Sequence, residues 1–140
     1  MLCLTETMVL HDGEPVNVKS EHDLSLSARA HMRDGRRARG LPRGGVRLVS
    51  ADSHPLRYKA HYSEECVQML AASAPAGVVV VGAYFSPSLS LNQLRAALAW
   101  ARRWMRGTSI LIGDLNIRDK AWDPSARTTL KSAALLEWSL

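Results

Sequence analysis

The sequence predicts an α/β fold of the α+β sandwich type, in which mixed β-sheets are flanked by helices. Three neighbouring patterns predict it: an apolar strand over Val78 to Phe85, an amphipathic helix after Ser90, and a short apolar strand over Ser109 to Ile112. A strand, a helix and a strand at this spacing usually form a right-handed crossover between parallel strands of one sheet. With 140 residues, the chain has room for one domain, which we expect to cover residues 1–140.

Shorter apolar runs predict the elements before this unit. Leu2 to Leu4 are expected to form a buried strand that carries Glu6 at its C-terminal end. A turn at Gly44-Gly45 precedes a predicted strand over Val46 to Val49. Both predicted strands precede the crossover in the chain.

The crossover itself has clear boundaries in the sequence. Its first strand, VVVVGAYF, is apolar on both faces, as expected for a central strand that is covered on both sides of its sheet. The preceding run from Glu65 to Ala72 is expected to pair with it in a hairpin. Ser90 can cap the helix, whose apolar residues recur every three or four positions until Gly107. A further helix is predicted from Thr128 to Leu140.

Positive charge is concentrated in one stretch. The net charge is +5, and seven arginines lie between Arg29 and Arg47, opposed only by Asp34. Such a stretch cannot bury much surface, so residues 20–42 are predicted to form an exposed basic loop. A nucleic acid would find counterions there, whereas a loop that only improves solubility is an equally open reading. The candidate nucleic-acid-binding residues are Arg36, Arg37, Arg39 and Arg43.

Several classes of protein are disfavoured by the composition. No apolar run approaches the roughly 18 to 20 residues of a membrane span, so no membrane association is expected. The N-terminal segment lacks a basic region and is interrupted at Thr5, Glu6 and Thr7, unlike a secretory signal. Two cysteines, Cys3 and Cys66, form neither a disulfide framework nor a metal cluster. We therefore expect an intracellular protein, either cytoplasmic or nuclear.

Polar residues follow the two strands of the predicted crossover. Tyr84 lies at the end of the first strand, and Asp114 and Asn116 come directly after the second. The C-terminal ends of parallel strands open on the same side of a sheet, where α/β folds bind ligands. A carboxylate there loses hydration unless a cation or a donor compensates it. A simpler reading stays open, in which Asp114 and Asn116 only begin a turn.

Four short motifs occur in a recognisable order: LTET at Glu6, RGGV at Gly44-Gly45, AYFSP at Tyr84 and ILIGDLN at Asp114. In order and approximate spacing they resemble the endonuclease/exonuclease/phosphatase superfamily, over Leu2 to Leu140. The strongest signal is ILIGDLN followed by Trp-Asp, with YFSP one helix upstream. This combination is most similar to the endonuclease domains of non-LTR retrotransposons.

The resemblance implies a DNase I-like fold and a metal-dependent phosphodiesterase from a retroelement-type reverse transcriptase polyprotein. Its substrate would be nucleic acid, with DNA favoured over RNA, and its cofactor Mg²⁺ or Mn²⁺. By the same resemblance, Glu6 is a metal ligand and Tyr84 contacts a phosphate oxygen. Asp114 orients or deprotonates the attacking water, which Asn116 positions together with the phosphate. The oligomeric state is not predicted.

Each of these residues also has a structural reading. Glu6 would then be a solvated carboxylate at a strand end, and Tyr84 a core tyrosine with its hydroxyl at the rim. Trp122 either packs under the site or touches DNA, and we favour packing. Full-length members of the superfamily also have an Asn strand before the Glu motif, and Asp and His motifs after the GDLN loop. None has a counterpart in these 140 residues, so the sequence looks like the central, incomplete part of the domain.

Two functional hypotheses follow. In the first, the chain is a nuclease whose missing groups are dispensable or come from another chain. In the second, it is a catalytically incomplete module that only binds nucleic acid through its basic surface. Because removing one member of a cooperating catalytic site costs orders of magnitude in rate, we expect little turnover by the chain alone.

Overall fold

The computed structural model describes residues 1–7, 15–26, 32–33, 36–37 and 44–139, with backbone alone for residues 32–33 and 36–37. These residues form two four-stranded sheets, a two-stranded ribbon and two helices, a mixed α+β arrangement. The strands are β1 Leu2–Thr5, β2 Val16–Ser20, β3 Asp23–Leu26, β4 Met32–Arg33, β5 Arg36–Arg37, β6 Val46–Val49, β7 Arg57–Glu64, β8 Val67–Ser73, β9 Val79–Phe85 and β10 Ser109–Asp114. The helices are α1 Leu91–Trp104 and α2 Leu130–Ser139.

The two large sheets differ in strand direction. The first has the order β1-β6-β3-β2 and is antiparallel throughout. In the second, ordered β10-β9-β8-β7, β9 pairs in parallel with β10 and antiparallel with β8. The predicted crossover and the predicted β8–β9 hairpin are therefore both confirmed. Strands β4 and β5 form the separate ribbon.

Strand β9 is an inner strand of the second sheet, and its side chains alternate between two cores. Val81, Ala83 and Phe85 pack in a cluster with buried residues of α1. Val80 and Tyr84 pack on the opposite face, in a cluster with buried leucines of the first sheet. The strand is thus covered on both faces, as its uninterrupted apolar pattern predicted.

Helix α1 covers the outer face of the second sheet. Its first turn has a capping box, in which the Ser90 hydroxyl accepts from Gln93 N and the Gln93 side chain accepts from Ser90 N. Helix α2 packs against α1, and the Trp138 indole N–H donates to Leu98 O at 2.9 Å. In the reverse direction, Arg102 Nη2 donates to Trp138 O at 2.8 Å. Among the described residues, no helix is long and apolar enough to span a membrane.

Two sequence predictions need correction. Strand β1 forms as expected but is not buried, because it lies at a sheet edge where Leu2 and Leu4 are 54% and 38% exposed. The predicted exposed basic loop over residues 20–42 is wrong in most of its described part, since β2 ends at Ser20, Asp23–Leu26 is strand β3, and β4 and β5 pair in the ribbon. Leu24 and Leu26 are buried there because they face the second sheet across the inner core. Residues 27–31, 34–35 and 38–42 lie outside the described residues.

Candidate active site

The C-terminal ends of the parallel strands meet at one edge of the second sheet. Asp114 on β10 is the register partner of Tyr84 on β9. Tyr84 is in turn the partner of Gln68 on β8. Because partners in adjacent strands project on the same face, three polar side chains lie in a row across the sheet.

The first sheet brings Glu6 to this row. Glu6 follows β1, and its Oε1 accepts a hydrogen bond of 2.9 Å from the Tyr84 hydroxyl. The structure thus brings two of the predicted site residues into direct contact. The backbone of Glu6 has φ +52°, a left-handed conformation that costs about 1–3 kcal/mol and often occurs at functional sites. Tyr84 is almost fully buried, so its ring belongs to the core while its hydroxyl reaches the carboxylate.

Asp114 and Asn116 form a local hydrogen-bonded unit. Asn116 N donates to Asp114 Oδ1, and Asn116 Nδ2 donates to Asp114 Oδ2, each at 3.0 Å. The same amide donates to Phe85 O at 2.9 Å, which ties the unit to the end of β9. This is the turn that the simpler reading predicted, and it also aims the Asp114 carboxylate. Asn116 itself is left-handed, with φ +47°, a conformation that Asn tolerates better than most residues.

Gln68 belongs to the same edge and was missed by the sequence reasoning. Its side chain is buried, and its Oε1 accepts from Gly45 N at 2.5 Å. A Cβ on Gly44 would lie 2.0 Å from the same Oε1, so the turn of the RGGV motif lies directly against Gln68. The one available signal was a polar residue inside the otherwise apolar run CVQMLAA.

The oxygen atoms at this edge suit a hard divalent cation. Among the described residues, no group of three His, Cys, Asp or Glu side chains comes together. Mg²⁺ does not require one, since it usually keeps several waters and binds one or two carboxylates together with substrate phosphates. Glu6 is exposed and uses Oε1 toward Tyr84, which leaves Oε2 available to a cation. Glu6 is therefore the residue at this edge that could hold such a cation, and the Mg²⁺ or Mn²⁺ cofactor stays a prediction.

A cavity of about 520 Å³ lies beside Asp114 and Asn116. Arg118 and Trp122 also line it. Trp122 is 47% exposed, and its Nε1 donates to Ile117 O at 3.2 Å. The expectation that Trp122 packs under the site is therefore only partly met, because about half of its side chain is exposed to solvent.

The predicted nucleic-acid-binding arginines are only partly within the described structure. Arg36 and Arg37 form β5, where the backbone alone is described. Arg39 and Arg43 lie outside the described residues. Their proposed contact with nucleic acid stays a prediction.

A second carboxylate supports the loop that follows the Asp114–Asn116 unit. Asp119 is 1% exposed, and its Oδ2 accepts from the Ser132 hydroxyl at 2.6 Å. Its Oδ1 accepts from Ala121 N at 2.9 Å. These bonds, led by that from Ser132, hold the pKa of the Asp119 carboxyl below its usual range. Asp119 thereby connects the 115–123 loop to the first turn of α2.

Asp119→Asn should remove a pH-dependent part of the stability. Because the folded pKa is depressed, the ionised carboxylate stabilises the fold fully above the unfolded pKa of about 3.9. That contribution is lost as the pH falls through the folded pKa. Urea unfolding from neutral to acidic pH should therefore show a gap between wild type and variant that closes in acid. Asp52→Asn, in the exposed 51–54 turn, is the control, and a gap independent of pH would contradict the assignment.

Comparisons with known proteins do not assign this geometry to a family. No family model matches the chain. No curated protein matches it either. Membership of the endonuclease/exonuclease/phosphatase superfamily therefore stays a prediction from the four motifs.

Proposed function

We propose that the edge formed by Glu6, Tyr84, Asp114 and Asn116 is a metal-dependent site that hydrolyses nucleic-acid phosphodiester bonds, with DNA favoured over RNA. The chain would then be a DNase I-like endonuclease domain of the retroelement type, acting inside the cell. One observation carries the proposal. Glu6 and Tyr84 are 78 positions apart in the chain and are joined by a hydrogen bond. Asp114 is the register partner of Tyr84, so the Asp114–Asn116 pair lies at the same edge.

Each residue has a chemical task in this proposal. Asp114 accepts the proton of the attacking water, and the Asn116 amide holds its carboxylate in one orientation for that transfer. Tyr84 donates its hydroxyl to a phosphate oxygen once the substrate displaces Glu6 from it. A Mg²⁺ ion on Glu6 would polarise the scissile phosphate and neutralise its charge. Holding water and phosphate in line is itself a large part of the rate enhancement.

Turnover by this chain alone should nevertheless be low. Of the five histidines, the described ones contact residues outside the site, such as Ser53 and Tyr58. Within the described residues, no imidazole therefore reaches this edge to stabilise the charge that develops on the phosphate. Loss of one such group from a cooperating site typically lowers the rate by orders of magnitude.

Nicking of supercoiled plasmid tests the proposal. With Mg²⁺ or Mn²⁺ we expect little nicking by the wild type, and Asp114→Ala should abolish what remains because the proton acceptor is lost. EDTA should do the same. Asp52→Ala, which removes an exposed carboxylate from the 51–54 turn, should leave the rate unchanged.

Nicking that survives Asp114→Ala would contradict the assignment of the site. Fast nicking by the wild type would support the site and contradict the expectation of low turnover. A complete lack of nicking, with binding that weakens steeply as salt increases, would favour the alternative function. In that case the chain is a non-catalytic module that binds nucleic acid through its arginine-rich stretch.

A further inference from the structure

The cavity beside Asp114 adjoins a second one on the same side of the molecule. The larger has a volume of about 520 Å³ and the smaller about 350 Å³. They share Asn116, Ile117 and Arg118 as lining residues. Both volumes lie in the range of roughly 300–1,000 Å³ that is typical of sites for small organic groups. A concave surface of nucleotide dimensions therefore extends from the proposed catalytic carboxylate toward the start of α2.

Trp122 presents an open aromatic surface in the larger cavity. Its indole N–H is already bonded to Ile117 O, and its backbone N–H donates to Asp119 O at 3.1 Å. These bonds hold the ring in place while about half of the side chain remains exposed. Exposed aromatic rings of this kind are the platforms on which proteins stack unpaired bases, at about 1–3 kcal/mol per base.

Cations line the same surface. Arg127 is exposed and forms no ion pair with any acidic group in the described part of the chain. Lys131 Nζ donates to Leu89 O at 3.0 Å, which leaves two of its three N–H groups for another acceptor. Arg118 Nη2 lies 2.7 Å from Asp123 Oδ2, and the Arg118 side chain is 75% exposed. Among the described residues that line the two cavities, Asp114 is the single carboxylate.

We infer that this surface binds an unpaired nucleotide next to the scissile phosphate, with its base stacked on Trp122 and its backbone phosphate at Arg127 and Lys131. The inference rests on the proposed function and specifies the substrate as single-stranded or locally unpaired nucleic acid. In an intact duplex, each base is stacked between its neighbours, so it has no free face to stack on the Trp122 indole. The same chemistry is available from a single strand or from a nucleotide bulged out of a duplex.

Fluorescence anisotropy in EDTA measures binding without cleavage. The probes are a labelled short oligothymidylate, a perfect duplex and the same duplex with one bulged nucleotide. The wild type should bind the single strand more tightly than the perfect duplex. Trp122→Ala should weaken single-strand binding about 5- to 150-fold, which corresponds to the stacking energy, and leave perfect-duplex binding unchanged. If a bulged nucleotide also reaches the cavity, its duplex should bind more tightly than the perfect one and respond to the same variant.

Matched variants separate stacking from general effects. Tyr58→Ala removes an exposed aromatic ring from β7, the edge strand opposite β10, and should leave binding unchanged. Arg127→Ala should reduce the slope of log K against log salt concentration for single-strand binding, by about the amount expected for one phosphate contact. Circular dichroism verifies that each variant is folded.

A second measurement does not depend on an alanine variant. Trp122 is more exposed than the other three tryptophans, so a base stacked on it should quench its fluorescence. Trp122→Phe lacks this fluorescence and should show less quenching on binding. Equal quenching in wild type and Trp122→Phe would overturn the inference. So would equal affinity for single strand and perfect duplex, or equal effects of Trp122→Ala and Tyr58→Ala.

Failure of this inference can be distinguished from failure of the proposed function. Loss of nicking in Asp114→Ala tests the proposed function, whereas single-strand binding in EDTA, where no cleavage occurs, tests Trp122 with Asp114 intact. Asp114-dependent nicking without any effect of Trp122 on binding would leave the catalytic site standing and overturn the unpaired-nucleotide site.

Discussion

Replacing Gly113 with alanine should lower the free energy of unfolding by roughly 2 to 6 kcal/mol, the sum of backbone strain and steric overlap. Gly113 has φ +146°, a region that side chains rarely adopt. A Cβ at this position would lie 1.9 Å from Ala83 O, on the neighbouring strand β9. The overlap is with backbone, so relief requires β9 and β10 to separate at the edge that carries Asp114.

Urea denaturation measures this effect, and Gly107→Ala is the matched control. Gly107 also has a positive φ, +70°, but a Cβ there would meet nothing within 4 Å. The control should therefore show the cost of a positive φ without any overlap, and the loss for Gly113→Ala should be larger because its Cβ also overlaps Ala83 O. Equal losses for the two variants would contradict a steric overlap between residue 113 and Ala83 O.

Phe85→Ala should cost about 3–5 kcal/mol of stability. Phe85 is fully buried at the end of β9, in the cluster that includes Leu94 and Leu98 of α1. Truncation removes the ring and leaves a cavity between the sheet and the helix, which the packed strand cannot fill. Urea denaturation again provides the measurement.

Phe85→Leu is the control for this core position. Leucine fills most of the volume, so its loss of stability should be smaller. Because Asn116 binds the backbone carbonyl of residue 85, the Asp114–Asn116 unit should survive this change. An equal loss for Phe85→Leu and Phe85→Ala would mean that cavity formation is not the cause.

Where the sequence pattern is local, it predicted the structure closely. The strand before Ser86, the capped helix and the strand ending at Asp114 all formed within a few residues of their predicted bounds. Helix α2 begins at Leu130 and not at Thr128, since Thr129 and Ser132 exchange capping hydrogen bonds before its first turn. Such short-range signals depend on neighbours in the chain, so they can be read without the fold.

Strand β3 shows the opposite case. Asp23–Leu26 is four residues long and adjoins the arginine-rich stretch, so its composition suggested an exposed loop. Its burial comes from the second sheet, which packs on Leu24 and Leu26. Arg47 further binds Asp23, with Nε 2.7 Å from Oδ1, and lowers the pKa of that carboxyl through this hydrogen bond. Both contacts join residues distant in sequence, and no pattern within the strand indicates them.

By itself, the sequence determined the β9–α1–β10 unit and the Asp114–Asn116 turn, because apolar periodicity, capping and a two-residue separation are local properties. Only the tertiary structure decided which distant groups join that unit. The Tyr84–Glu6 hydrogen bond spans 78 positions and the contact of Gly45 with Gln68 spans 23. The exposure of Trp122 was likewise decided by how the loop lies against α2. These contacts arise from the packing of one sheet on another and of a loop on a helix, which depends on the whole chain at once.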